Sequence, residues 1–102
     1  MGNGYVTMVI RFDVAPENQA KLVELMSGSL GEVLSRQDGY IDGMILPSDD
    51  GTHVLNCTTW RDMDAVQATR GNPEAKRFAE LMGAISKPHP VAYSQRRDFP
   101  NA

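Results

Sequence analysis

In the stretch Asn56-Cys57-Thr58-Thr59-Trp60, a carboxamide and the chain's one tryptophan stand four residues apart. The run from Thr52 to Trp60 reads as a strand, on which residues at even separation share a face. Asn56, Thr58 and Trp60 therefore look the same way, with Thr52 and Val54 behind them. An amide N–H can donate to a developing oxyanion without carrying charge, and in a dry pocket such a donor is worth roughly 2.7–4 kcal/mol. An indole offers a flat wall for an aromatic ring and an N–H as a second donor. Structural duties compete with both: a strand Asn can cap a bulge or bond a neighbouring backbone group, and a tryptophan can simply be core.

Spacing places the other reactive groups less sharply. Cys57, the single cysteine, excludes an internal disulfide framework and a Cys-based metal cluster. It falls on the face opposite Asn56 and reads as a small packing residue. His53 lies on that same opposite face beside a hairpin, as a solvated or interface residue. His89, between Pro88 and Pro90, reads as a loop residue with no second ligand at metal spacing. Arg11 shares a face with Asp13 and is expected to pair with it at the surface or an interface. Tyr40, Arg70, Arg77 and Tyr93 could each reach a pocket, and spacing does not choose among them. No His, Cys or carboxylate presents itself as a dedicated base, which leaves water or the substrate's own acidity.

The 102 residues suit one domain, with a modest core of the size that oligomerisation often supports. At 41% hydrophobic and 23% charged, the composition is that of a globular chain. A net charge of -3 argues against nucleic-acid or anionic-membrane partners, which favour clustered Lys and Arg. Arg96-Arg97, beside Asp98, is too small a basic pair to change that. No apolar run approaches the roughly 18 residues of a membrane span. The N-terminal "MGNGYVTMVIRF" has no basic region before its apolar stretch, so no signal peptide is expected and the expected compartment is the cytoplasm.

The elements that would hold these groups follow from periodicity. Val6, Met8, Ile10, Phe12 and Val14 alternate with more polar positions, as in a strand. Pro16 marks a first helical turn. Leu22, Leu25, Met26, Leu30, Val33 and Leu34 then recur at helical spacing, with Gly28 and Gly31 marking a bend or a close approach. Asp38-Gly39 turns the chain into a strand over 40–46, and "PSDDG" makes a hairpin with Gly51 at the left-handed position. Asp62 caps a short helix ending near Gly71, and Asn72-Pro73 opens another whose stripe is Phe78, Leu81, Met82 and Ile85. Pro88 and Pro90 are expected to break the chain before a last strand over 91–99. The order strand, helix, strand, strand, helix, strand gives an α+β fold, the ferredoxin-like βαββαβ arrangement, in one domain over 1–102 with its core at 5–99.

The segments "VTMVIRFDV", "QDGY" and above all "DGTHVLNCTTWRDMDA" resemble the antibiotic biosynthesis monooxygenase family of dimeric α+β barrels, over about residues 5–99. Within it the likeness is to the cofactor-free anthrone oxygenases of aromatic polyketide pathways. There the matching Asn and Trp lie in the substrate pocket and are implicated in catalysis, so the resemblance implies those roles for Asn56 and Trp60. Two departures stand out. Some relatives carry a second pocket Asn where this chain has Ile10, and others a Tyr and a His where it has Val66 and Leu46.

The resemblance implies a cofactor-independent monooxygenase, needing no metal, that takes O2 and an electron-rich aromatic (anthrone, phenol or quinol) to a quinone. Triplet oxygen reacts slowly with singlet organic molecules unless the substrate, once deprotonated, donates an electron itself. Haem degradation, found in the same family, would require a His on the helix after the tryptophan, where this chain has Thr69 and Arg70. A polyketide cyclase and a non-catalytic small-molecule-binding dimer are the alternatives. A homodimer is expected, with the face of Leu55 and Cys57 against a partner's sheet, because a small sheet apolar on both faces needs a second cover.

Overall fold

Alternating side chains in the first strand dictate a sheet with one face against helices. The computed structural model, which describes residues 4–102, shows that sheet. Residues 1–3, the first part of the stretch judged not to be a signal peptide, lie outside the described residues. The chain runs β1 (Val6–Val14), α1 (Gln19–Gly28), β2 (Tyr40–Pro47), β3 (His53–Trp60), α2 (Met63–Arg70), α3 (Pro73–Gly83) and β4 (Ser86–Tyr93). The strands are all antiparallel in the order β2-β3-β1-β4, the ferredoxin-like topology.

The capping signals act as their chemistry requires. Asp62 accepts the Ala65 N–H at 2.9 Å, and Asn72 accepts those of Glu74 and Ala75, starting α2 and α3. Gly51 turns the β2–β3 hairpin at φ +81°. α1 is the more irregular helix. A 3-10 turn at Pro16–Asn18 leads in, and the helix widens into a π turn at Ser29–Val33 before a 3-10 turn at Leu34–Arg36. Gly28 is a close approach: a Cβ there would meet the Phe78 ring at 3.1 Å, whereas one at Gly31 would meet nothing.

The core lies between the sheet and the helices. Leu22, Met26 and Val54 are fully buried, joined by Phe12, Phe78 and Met82. Truncating a side chain such as Met26 to Ala costs about 2–5 kcal/mol in such a setting. A second cluster gathers Val6, Met8, Trp60, Ala65 and Val66. Leu81 departs from the expected stripe and is exposed, because it sits about 100° around the helix from Met82.

The last strand corrects the sequence reading. It spans Ser86–Tyr93 rather than 91–99, and it contains Pro88 and Pro90 instead of following them. β4 is an edge strand, paired only with β1, through Pro88–Phe12 and Pro90–Ile10. At that edge an alternate residue's N–H faces away from the ladder, so a proline there loses no hydrogen bond. Residues 94–102 form no regular element, and Phe99 is almost fully exposed.

Candidate active site

β3 is buried at every second residue: Val54, Asn56, Thr58 and Trp60 all face the helices. The latter three form one wall of a cavity of about 500 Å³. Met8, Ile10 and Phe12 of β1 lie beside them, with Pro88 and Pro90 of β4 at the edge. α2 contributes Val66, Thr69 and Arg70, and α3 contributes Ala75, Lys76, Ala79 and Met82. The π turn supplies Ser29, and Leu34 follows it. The Leu34 N–H reaches back to the Ser29 carbonyl, the extra residue of a π bulge, a feature common at functional sites.

Asn56 pairs with Ile10 on one side and Ile45 on the other, in the middle of the sheet. It is only 5% exposed, and its Oδ1 is buried with no hydrogen-bond partner. An orphaned buried acceptor costs about 1–3 kcal/mol, so this carbonyl oxygen does not serve the fold by capping a bulge or bonding the backbone. Ile10 and Val66, where relatives carry polar groups, are apolar walls of the same cavity, while Leu46 pairs with Leu55 on the other face.

Trp60 is 3% exposed, and its indole N–H donates to Thr58 Oγ1 at 2.9 Å. The expected second donor is thus already committed. Trp60 is a wall, and Thr58, whose hydroxyl accepts the hydrogen bond from the indole N–H and has a hydrogen of its own to donate, lines the cavity beside it. Spacing signalled this residue, two before the tryptophan, without assigning it a task. Tyr40 stands edge-on to Trp60, centroids 5.3 Å apart at 90°. Gly43 leaves room for its hydroxyl, since a Cβ there would come within 2.5 Å of the Tyr40 oxygen. Burial, and then the charge of Asp42, push the Tyr40 phenol above its ordinary value, so it keeps its proton and buttresses the indole rather than acting as a base.

Of the other residues that spacing left open, Arg70 alone lines the cavity. Arg77 lies over the Phe78 ring at 4.9 Å and pairs with Glu74, and Tyr93 is exposed on the opposite face. Lys76 and Thr69 are lining residues that the sequence did not single out. The Thr69 hydroxyl is spent on the Ala65 carbonyl at 3.0 Å.

The opposite face of the sheet is charged at one end. Asp13 takes His53 Nδ1 on Oδ1 at 2.8 Å and His89 Nε2 on Oδ2 at 2.9 Å, with Arg11 Nε at 3.1 Å. His89 is therefore a strand residue with a fixed partner, not a loop residue. The two imidazoles meet because β3 and β4 flank β1 in register. Burial works to raise the Asp13 carboxyl, but the bonds from His89, His53 and Arg11 outweigh it and hold it below the usual carboxylate value. Cys57, half-buried on this face, has its thiol pushed up by burial. Among the described residues no cluster of His, Cys, Asp or Glu is arranged to hold a metal, and no helix is long and apolar enough to cross a membrane.

Residues 5–81 match the model of the antibiotic biosynthesis monooxygenase family. The chain is 26% identical over 85 residues to tetracenomycin-F1 monooxygenase of Streptomyces glaucescens, covering 83% of this chain and 76% of that protein. A crystal structure of a monooxygenase of Streptomyces coelicolor, ActVA-Orf6, solved with nanaomycin D, superposes with a TM-score of 0.83 at 28% identity, covering 97% of this chain and 93% of that one. SnoaB of Streptomyces nogalater, a cofactor-independent oxygenase, shares the fold with a TM-score of 0.79 at 24% identity, over 96% of this chain and 99% of that one.

Proposed function

The chain belongs to the antibiotic biosynthesis monooxygenase family and is a monooxygenase, and from that premise we propose that it oxidises an electron-rich aromatic, of the anthrone, phenol or quinol kind, to a quinone with O2 and no cofactor. The observation that carries this reading is the Asn56 amide, whose Oδ1 is orphaned, in the wall of an otherwise apolar cavity backed by Trp60. A phenolic hydroxyl donates to Asn56 Oδ1 in the neutral substrate. Once the substrate is ionised, half a turn of the carboxamide presents its N–H to the oxyanion instead.

The substrate is its own reductant. An anthrone loses a proton from its methylene carbon to water, and the anion passes one electron to O2, giving a carbon radical and superoxide. These combine into a C–O bond and the peroxide takes a proton. The hydroperoxide then breaks its O–O bond: hydroxide departs, the carbon's second hydrogen leaves as a proton, and the two make water. Four electrons leave the methylene carbon and four reduce O2, one oxygen ending in the carbonyl and the other in water. The apolar walls of Met8, Ile10, Phe12, Val66 and Met82 exclude water and so keep the anion desolvated and reactive. Thr58 is the second hydrogen-bond donor within reach of the same ring system.

The test is oxygen uptake by metal-stripped protein given a model anthrone, beside Asn56→Ala at equal concentration. Uptake with quinone formation that falls at least about tenfold in the variant is expected. Uptake unchanged in the variant would reduce the cavity to an apolar vessel for autoxidation, and no uptake would remove the anthrone reading.

The sheet's other face supports a homodimer. Met44, Leu46, Val91 and Tyr93 are each about half exposed there, around half-buried Leu55 and Cys57. Facing a second copy across a two-fold axis covers all of them at once. Sedimentation should then show a dimer that Leu55→Glu converts to monomer.

A further inference from the structure

Arg70 and Lys76 line the cavity, and the oxidation proposed above assigns them no step. They are its only charged residues: the chain holds 13 Asp and Glu against 10 Lys and Arg, yet no carboxylate lines the cavity. The local sign is therefore opposite to that of the molecule as a whole. Both side chains belong to exposed residues, which puts them at the rim rather than in the interior. Neither forms an ion pair among the described residues, although Glu74 and Glu80 share the helix with Lys76 and Glu74 is taken by Arg77.

The two cations are held by stiff backbone. Arg70 closes α2, and a short turn follows in which Gly71 N–H bonds the Ala68 carbonyl and Asn72 N–H that of Thr69. Lys76 sits in the first turns of α3, its own N–H on the Asn72 carbonyl. A cation near a helix N-terminus is on the unfavourable end of the dipole, so Lys76 is not there to stabilise α3. An anion at that rim would meet positive charge from Lys76 and Arg70, with Arg offering a planar fork suited to a carboxylate.

We propose that Arg70 and Lys76 form an anion subsite at the cavity rim that takes a carboxylate arm of the aromatic substrate, whose rings lie inside against Trp60. This rests on the reading of the cavity as an aromatic oxygenase site and narrows its substrate to acids. The cations act on capture and orientation: they draw an anion to a basic opening in an acidic molecule and fix which ring carbon lies beside Asn56.

Trp60 is the only tryptophan and a cavity wall, so its fluorescence reports occupancy without turnover. Anthraquinone-2-carboxylate and its methyl ester would be titrated into the protein, Arg70→Gln/Lys76→Gln, and Arg70→Lys/Lys76→Arg. The acid is expected to bind the native protein at least about tenfold more tightly than the ester. That ratio should fall to near one in the glutamine variant and be largely kept in the charge-preserving one. Equal affinities for acid and ester in the native protein, or a preference that survives the glutamine variant, would overturn the subsite while leaving the aromatic cavity standing. No quenching by either ligand up to millimolar concentration would overturn the cavity reading, and the subsite with it.

Discussion

The two faces of one sheet treat polar groups in opposite ways. On the outer face Asp13, a full charge, is clamped by His53, His89 and Arg11 and leaves neither carboxylate oxygen idle. On the helix face Asn56, a neutral amide, is more deeply buried and has an oxygen with no partner at all. The charged cluster is the more conspicuous chemically, yet both oxygens of its carboxylate are engaged internally, which is what a structural role demands. The amide keeps its capacity unspent at a cost to folding, and that is what a ligand site demands. A buried polar group marks function by what it lacks rather than by its charge.

The contrast breaks most visibly at Asn56. Asn56→Ala should lower the rate of anthrone oxidation by roughly 10²–10³, the usual loss for an oxyanion donor, without lowering the urea midpoint of unfolding. A large loss of stability with unchanged turnover would instead make Asn56 structural, and the contrast between the faces would fail.

Thr58→Val comes next. It keeps the side chain's shape but strands the indole N–H of Trp60, whose one partner is the Thr58 hydroxyl. We expect a destabilisation of about 1–3 kcal/mol in urea titration, because a buried donor is left unpaired. Turnover should fall as well if Thr58 donates to the substrate, and a stability loss alone would confine it to holding Trp60.

At the carboxylates of the outer face and the hairpin the effects are smaller and are read as a change in acid sensitivity. Asp13 has its carboxyl held low, so the folded state binds a proton less readily than the unfolded chain. Its contribution is therefore present above the ordinary carboxylate value of 3.8 and is lost as the pH falls below it. Asp50, in the hairpin, accepts from the Thr52 hydroxyl, the Thr52 N–H and Ser48, which bring it to about 2 and set its window between 3.8 and about 2. Asp13→Asn and Asp50→Asn should each flatten the fall of the urea midpoint over these acid ranges and leave turnover near neutrality unchanged. The smallest effect is at Cys57, whose raised thiol should react with iodoacetamide more slowly than a free cysteine at pH 8.

Much of this arrangement is legible in the order of the residues. Alternation in β1 and β3 gives both strands their faces, because it is a local property of an extended chain. Asp62, Asn72-Pro73 and Gly51 mark their turns and caps because the backbone groups they serve lie within three residues. The final strand was misplaced for the converse reason. A proline is forbidden in a ladder only where a neighbour needs its N–H, and the sequence does not say that β4 lies at an edge. Likewise the free indole N–H expected of Trp60 is lost to Thr58, since residue types do not show which rotamer brings a donor to an acceptor.

The sequence by itself determined the strand and helix order, the shared face of Asn56, Thr58 and Trp60, and the chain's acidic balance, all of which depend on near neighbours or on composition. Only the tertiary structure decided that this face lines a cavity, that the Asn56 carbonyl oxygen finds no partner there, and that Arg70 and Lys76 from two helices both line it. Those facts depend on how β1, β4, α2 and α3 close around β3, and contacts between residues far apart in the chain leave no periodic trace in it.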